Sequence, residues 1–352
     1  MFTLSFKELD KKNRLLIKAS KKGDIKLAKQ VISEGAKINH QNYKTESTPL
    51  IAAVSNNHLE VVKLLVENNA NVHLRTLLFK NNALLAASNY AKNLDIIKYL
   101  IENNANVNVK DIYNRGVCHY ATYGNKLSVL KYFIEEHKLD PDTSDINGNT
   151  VLINAGYIGN FDIVKYLVEE KKLDLNTENN RGKTVLYSSV LSGNINIVKY
   201  LLEEKNIAAN FKQEIYTAVK SPSFEIFKYL LSKIAPNEGN YQALLDDLLY
   251  KTDAAYLYLK ISFNNNSKNS SYSKNDFKSD VTEYCKIGKL LIDSNADIEN
   301  NNITEDFIDS IKLLFPTNKS QAKAEFPDPF SFSQNETTEK CLGDSEISDT
   351  LT

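Results

Sequence analysis

Cys118 and His119 are neighbours in the chain, and a thiol beside an imidazole is the pair from which a nucleophile and its general base can be built. That chemistry needs a thiolate, hence a sulfur that is accessible and electropositively surrounded. No third group in a familiar order accompanies the pair: the sequence holds no H-E-x-x-H, no G-x-S-x-G, no kinase-type H-R-D set and no Gly-rich phosphate loop. His40, His58, His73 and His137 are scattered over different stretches, so no metal-ligand spacing results. No catalytic residue, cofactor or metal is expected, and what Cys118 and His119 do depends on the elements that carry them.

The 352 residues are 42% apolar and 25% charged, enough for an extended core, and the formal net charge of -1 gives no global pull toward nucleic acid or membrane. Charge matters only by region. Residues 1–40 hold ten Lys or Arg against four acids, and residues 325–352 hold seven acids and one Lys. No apolar run is long enough to span a bilayer, and the opening MFTLSFKELDKKNR lacks the apolar core of a signal peptide. Three widely separated cysteines make no disulfide framework. The expectation is a soluble intracellular, cytoplasmic monomer, with secretion into a host cell kept as an alternative route.

The elements are set by a repeat. Related blocks run HLEVVKLLVENNANV (58–72), NLDIIKYLIENNANV (93–107), FDIVKYLVEEKKLDLN (161–176) and INIVKYLLEE (195–204). Their first apolar residues, with the copy at Leu127, fall at Leu59, Leu94, Leu127, Phe161 and Ile195, giving spacings of 35, 33, 34 and 34. A weaker copy begins at Ile25. Each block carries an Ala-rich helical pattern followed by a second, too continuously apolar to be half exposed. One face of such a pair must be covered by the next, which predicts a stack of helix pairs sharing one core.

Thr48-Pro49-Leu50 with Ala52-Ala53, Thr150-Val151-Leu152 with Ala155, Thr184-Val185-Leu186, and Gly193-Asn194 between helices resemble the ankyrin-repeat family. The resemblance implies an all-α solenoid of helix-turn-helix units joined by short connecting fingers. Seven copies are read over residues 1–237, near 12–40, 42–73, 76–108, 111–142, 145–176, 179–210 and 212–237. Residues 238–315 are read as an interrupted eighth copy with a disordered loop at about 262–280 and a closing helix, and 316–352 as a disordered acidic tail. The stretch GVCHYA stands where the family carries its T-P-L-H-x-A, which makes His119 a structural histidine and Cys118 a core residue. Asn39, Asn108, Asn176 and Asn210 are expected to satisfy loop backbone, with loosening where His73 and Asp142 replace them. Lys63/Glu67 and its repeats read as i, i+4 pairs on a solvated face. Tyr99, Tyr132, Tyr166, Tyr200 and Tyr229 read as a packed column.

Finger tips carry no core duty, yet Tyr43, then Leu77, Leu78 and Phe79, then Ile112 and Tyr113, then Ile146 fall there. Tyr90, Tyr123 and Tyr157 lie near the ends of the first helices. The family's stacking implies that both sets line the concave side. The expectation is a non-catalytic scaffold that binds a protein partner through this face. The alternatives are an interaction module serving an unrecognised C-terminal activity or a host-directed effector, and nucleic-acid binding through the basic N-terminal copy. No small-molecule substrate is expected.

Overall fold

The computed structural model describes residues 6–42, 47–207, 211–220, 223–233, 241–266, 274–293 and 303–314. Short helices come in pairs: α1 (Phe6–Lys22) with α2 (Ile25–Ser33), α3 (Pro49–Ser55) with α4 (Leu59–Glu67), α5 (Ala83–Tyr90) with α6 (Asp95–Glu102), and α7 (Val117–Tyr123) with α8 (Leu127–Glu135). Next come α9 (Val151–Ile158) with α10 (Phe161–Glu169), α11 (Val185–Leu191) with α12 (Ile195–Lys199), and α13 (Phe211–Lys220) with α14 (Phe224–Leu231). Longer α15 (Tyr241–Asn266) and α16 (Lys274–Asp293) follow, and α17 (Glu305–Leu314) closes the series. The first members pack in one row, α1 through α15, and the second members form another row behind it. Among the described residues there is no strand, and no helix is long and apolar enough to cross a membrane.

Local chemistry starts each unit. The hydroxyls of Thr48, Thr150 and Thr184 accept from the N–H groups of Ile51 (3.1 Å), Ile153 (3.2 Å) and Tyr187 (3.3 Å), and Asn82 does the same for Leu85 (3.0 Å). These caps satisfy donors that a helix start would otherwise leave orphaned. Gly159 ends α9 at φ +76°, a left-handed backbone that a Cβ disfavours. At Gly124 a Cβ would sit 2.1 Å from the Asn89 carbonyl oxygen, so glycine is what lets α7 close on the end of α5.

Small side chains set the row spacing. Ala53, Ala87, Ala121 and Ala155 are all fully buried where the first helices meet. Behind them Leu65, Leu100, Phe133, Leu167, Leu201 and Leu230 are fully buried in the second row, one per copy. Each pair therefore supplies half of the core that its neighbour completes, and burial of such a side chain stabilises by roughly 1.5–3 kcal/mol.

Regularity ends after α12. The spacing from Ile195 to Phe224 is only 29 residues, and there the backbone widens into a π turn over Tyr200–Glu204, with the Lys205 N–H donating to the Tyr200 carbonyl (3.1 Å). The π turn accommodates a change of register without breaking the helix. Helical structure also reaches further than the loop expected at about 262–280: α15 continues to Asn266 and α16 begins at Lys274. Once Tyr284, Cys285, Ile287 and Leu291 are buried in α16, extending the helix backward costs little, since propagation follows a nucleus already in place. Phe307 of α17 is fully buried against Tyr256 and Gly288, and the Thr304 hydroxyl both accepts from the Phe307 N–H (3.4 Å) and donates to Asp253 (2.6 Å). The tail expected at 316–352 lies outside the described residues.

Candidate partner-binding face

The pair Cys118–His119 is absorbed by packing. Cys118 is buried in α7, and burial pushes its thiol up to about 12, away from the thiolate. His119 is fully buried, its Nε2 3.3 Å from the Asn149 carbonyl oxygen of the next finger, and burial lowers its pKa. A neutral ring tying one copy to the next is a structural histidine. His58 plays a similar part, its Nε2 3.1 Å from the Lys21 carbonyl oxygen.

Each finger is a small closed turn. Backbone N–H groups of Thr76, Asp111, Asp145 and Asn179 donate to the carbonyls of Asn81, Arg115, Asn149 and Lys183 at 2.7–3.1 Å. Within it, Asp111 Oδ1 accepts from the N–H groups of Tyr113 (2.8 Å) and Arg115 (2.9 Å). Asp145 serves Asn147 and Asn149 in the same way, and Asn179 serves Arg181 and Lys183. These boxes recur every 34 residues, a signal that was present in the sequence and not read. The finger starting at Thr76 is one residue longer, and there the Thr76 hydroxyl accepts from the Asn81 N–H (3.0 Å) in place of an Asp or Asn side chain.

Neighbouring fingers are stitched together: Ile112 N–H donates to the Phe79 carbonyl (3.2 Å), Ile146 to Tyr113 (2.9 Å), and Asn180 to Asn147 (3.0 Å). With the backbone used for this purpose, the side chains point where they can. Leu77, Leu78, Phe79, Tyr90, Ile112, Ile146 and Tyr157 are 45–66% exposed, and they make up most of the large exposed apolar side chains among the described residues. Phe79 and Tyr113 bring their ring centroids to 6.4 Å. Tyr113 and Tyr123 are only half exposed, because the Arg115 guanidinium lies over both rings, 4.6 and 5.6 Å from their centroids. No ring contact joins Tyr90 or Tyr157 to this group among the described residues, so the tyrosines do not form one continuous stack. Tyr43 lies outside the described residues.

Arg115 is fixed from below. Its Nη2 and Nε reach Asp111 Oδ2 at 2.6 and 2.7 Å, and the Tyr120 hydroxyl, with one proton to give, lies within hydrogen-bond reach of the same oxygen, at 3.0 Å, and of Asn81 Oδ1. The Asp111 side chain is fully buried. A buried carboxylate held by a bidentate cation and a hydroxyl is rigid, and it presents the planar face of Arg115 among three tyrosines. Burial raises the Tyr120 and Tyr123 hydroxyls, so both remain neutral donors.

The opposite face corrects the expected ladder. Lys63 pairs with Glu60 (3.0 Å), and in later copies the glutamates reach across to the next copy. Tyr166 donates to Glu135 (3.0 Å), Tyr200 to Glu169 (3.2 Å) and Tyr229 to Glu203 (2.8 Å), with Lys171, Lys205 and Lys233 at 3.4, 3.1 and 3.1 Å from the same carboxylates. These partners hold Glu135, Glu169 and Glu203 below the usual carboxylate range. The tyrosine column is graded: Tyr166 and Tyr200 are buried, whereas Tyr99, Tyr132 and Tyr229 are half-buried.

The loop asparagines need the same correction. His73, Asn108, Asp142 and Asn176 each donate a backbone N–H to the side chain two residues earlier, Asn71, Asn106, Asp140 or Asp174, at 2.9 Å. The substitutions at 73 and 142 therefore leave the turn intact, because the capping side chain lies elsewhere. Asn39 does accept from the Asn71 N–H (2.8 Å), and Asn210 lies outside the described residues.

The family model for ankyrin repeats (3 copies) matches residues 16–111 and again 118–214. Ankyrin repeats are generally protein–protein interaction modules, and the family is typically non-enzymatic. Comparison with curated protein sequences gives no significant match. Matched over more than half of its length by that model, this chain belongs to the ankyrin-repeat family.

Proposed function

We propose that the chain is a non-catalytic scaffold that binds a protein partner across the fingers and first-helix ends of the second to fifth copies. The observation that carries this reading is the exposure of Leu77, Leu78, Phe79, Ile112 and Ile146 at the tips of turns whose backbone is already closed and stitched to its neighbours. Turn closure runs through the backbone and does not need these side chains, and a contiguous apolar patch on a rigid frame is what an interface core requires. Arg115, Tyr113 and Tyr123 supply large side chains already held in place, so binding orders little that is not ordered beforehand.

A photo-crosslinking residue at Tyr90 or Ile146 of the full chain, compared with one at Lys165 on the opposite face, tests the reading in a cell lysate. Crosslinks to one protein from the finger-face positions and none from Lys165 support it. Crosslinks from Lys165 alone overturn it.

A further inference from the structure

The finger face is basic at one end, and the chain carries its own acidic, aromatic segment of the length needed to reach it. Residues 74–93 and 109–126 hold six Lys or Arg and one acid, Asp111, whose carboxylate is buried on Arg115. Arg75, Lys80 and Lys110 are exposed on the fingers around Leu77, Leu78 and Phe79, and Lys92 is exposed beyond the far end of α5. Residues 325–352 hold seven acids and one Lys, with Phe326, Phe330 and Phe332 before the acid-rich part and Leu342 and Ile347 within it.

We infer that residues 325–352 fold back along the finger face and occupy it in the same molecule, so that the scaffold carries its own competitor. This goes beyond the partner-binding reading, which stands whether or not the chain covers its own face. The reach is sufficient. Phe332 lies 18 residues beyond Leu314, the end of α17, and an extended chain spans at most about 60 Å over that length. From α17 to α9 there are four packed steps, through α15, α13 and α11, about 40 Å at the usual spacing of packed helices. The phenylalanines thus reach Tyr157 and Ile146, and the acids that follow them reach the basic end. Running back in this direction, the segment matches the face in order, aromatic first and acidic second.

The test uses the full chain and its own cysteines. Cys118 and Cys285 are buried, so a nitroxide on Cys341, in the proposed occupant, can be read against methyl signals of Leu78, Ile112 and Ile146. Loss of those signals in the oxidised sample, their recovery on reduction, and their retention in a Phe330→Ser/Phe332→Ser variant are the expected results, with 0.5 M salt weakening the effect. Unchanged signals overturn the proposal. So does equal loss in methyl-labelled molecules that carry no nitroxide when they are mixed with nitroxide-bearing ones, which would make a second copy the source.

Discussion

The two faces of this stack use tyrosine in opposite ways. On the outer helices of copies five to seven, Tyr166, Tyr200 and Tyr229 each close onto the glutamate of the preceding copy, so ring and hydroxyl are both spent on holding neighbours together. On the finger face, Tyr90 and Tyr157 stand exposed, and Tyr113 and Tyr123 lie under Arg115, with Phe79 beside Tyr113 and Tyr120 edge-on to Tyr123. Residue type and periodicity are alike on both faces. What separates them is whether the next copy offers a polar partner one repeat away, and that depends on how the second row packs.

The largest expected difference follows from this contrast. Tyr200→Ala removes a buried ring packed edge-on against Phe161, 5.4 Å between centroids, and should destabilise the chain by about 3–5 kcal/mol in urea denaturation. Tyr157→Ala should stay within about 0.5 kcal/mol of the unaltered chain in the same assay. Equal losses at the two positions would erase the distinction between the faces.

A smaller effect sits where the copies shorten. Twenty-nine residues after Val185, the register puts Glu214 at a core position, buried with Oε2 unpartnered, and burial raises its pKa from 4.5 to about 7. Because the folded state binds this proton more tightly than the unfolded chain, the contribution is fully present below pH 4.5 and is lost as pH rises through about 7. Stability should fall between pH 5 and 8 by at most about 3 kcal/mol from this group, and Glu214→Gln should flatten that slope. A slope retained in Glu214→Gln would place the titration elsewhere. Smaller again, Asp111→Ala strips the finger box, Arg115 and Tyr120 of a common acceptor, at about 2–3 kcal/mol. It should also raise hydrogen exchange at Tyr113 and Arg115 ahead of the neighbouring fingers.

The helix pairs were legible because apolar spacing near 34 residues reports the shared core directly, and capping threonines mark where first helices begin. The exposed tips were legible too: Leu77, Leu78, Phe79, Ile112 and Ile146 have no duty in a turn, and the structure leaves them exposed. Their engagement with one another was less so. Arg115 was overlooked because its role comes from Asp111 and Tyr120, which meet it only after the finger closes. The cross-copy pairs of Glu135, Glu169 and Glu203 were misread as i, i+4 contacts because spacing along one helix says nothing of the helix beside it. Glu214 went unnoticed because the shortened copy obscures the register that places it in the core.

The central claim, that partners bind on the finger face, is tested most directly with a partner identified by crosslinking and affinities measured on the full chain. Leu78→Ser with Tyr157→Ala should raise its Kd at least about tenfold, a loss of about 1.4 kcal/mol, with the denaturation midpoint unchanged. Lys165→Glu on the opposite face should leave Kd where it was. A Kd indifferent to the finger variant and raised by Lys165→Glu would contradict the account.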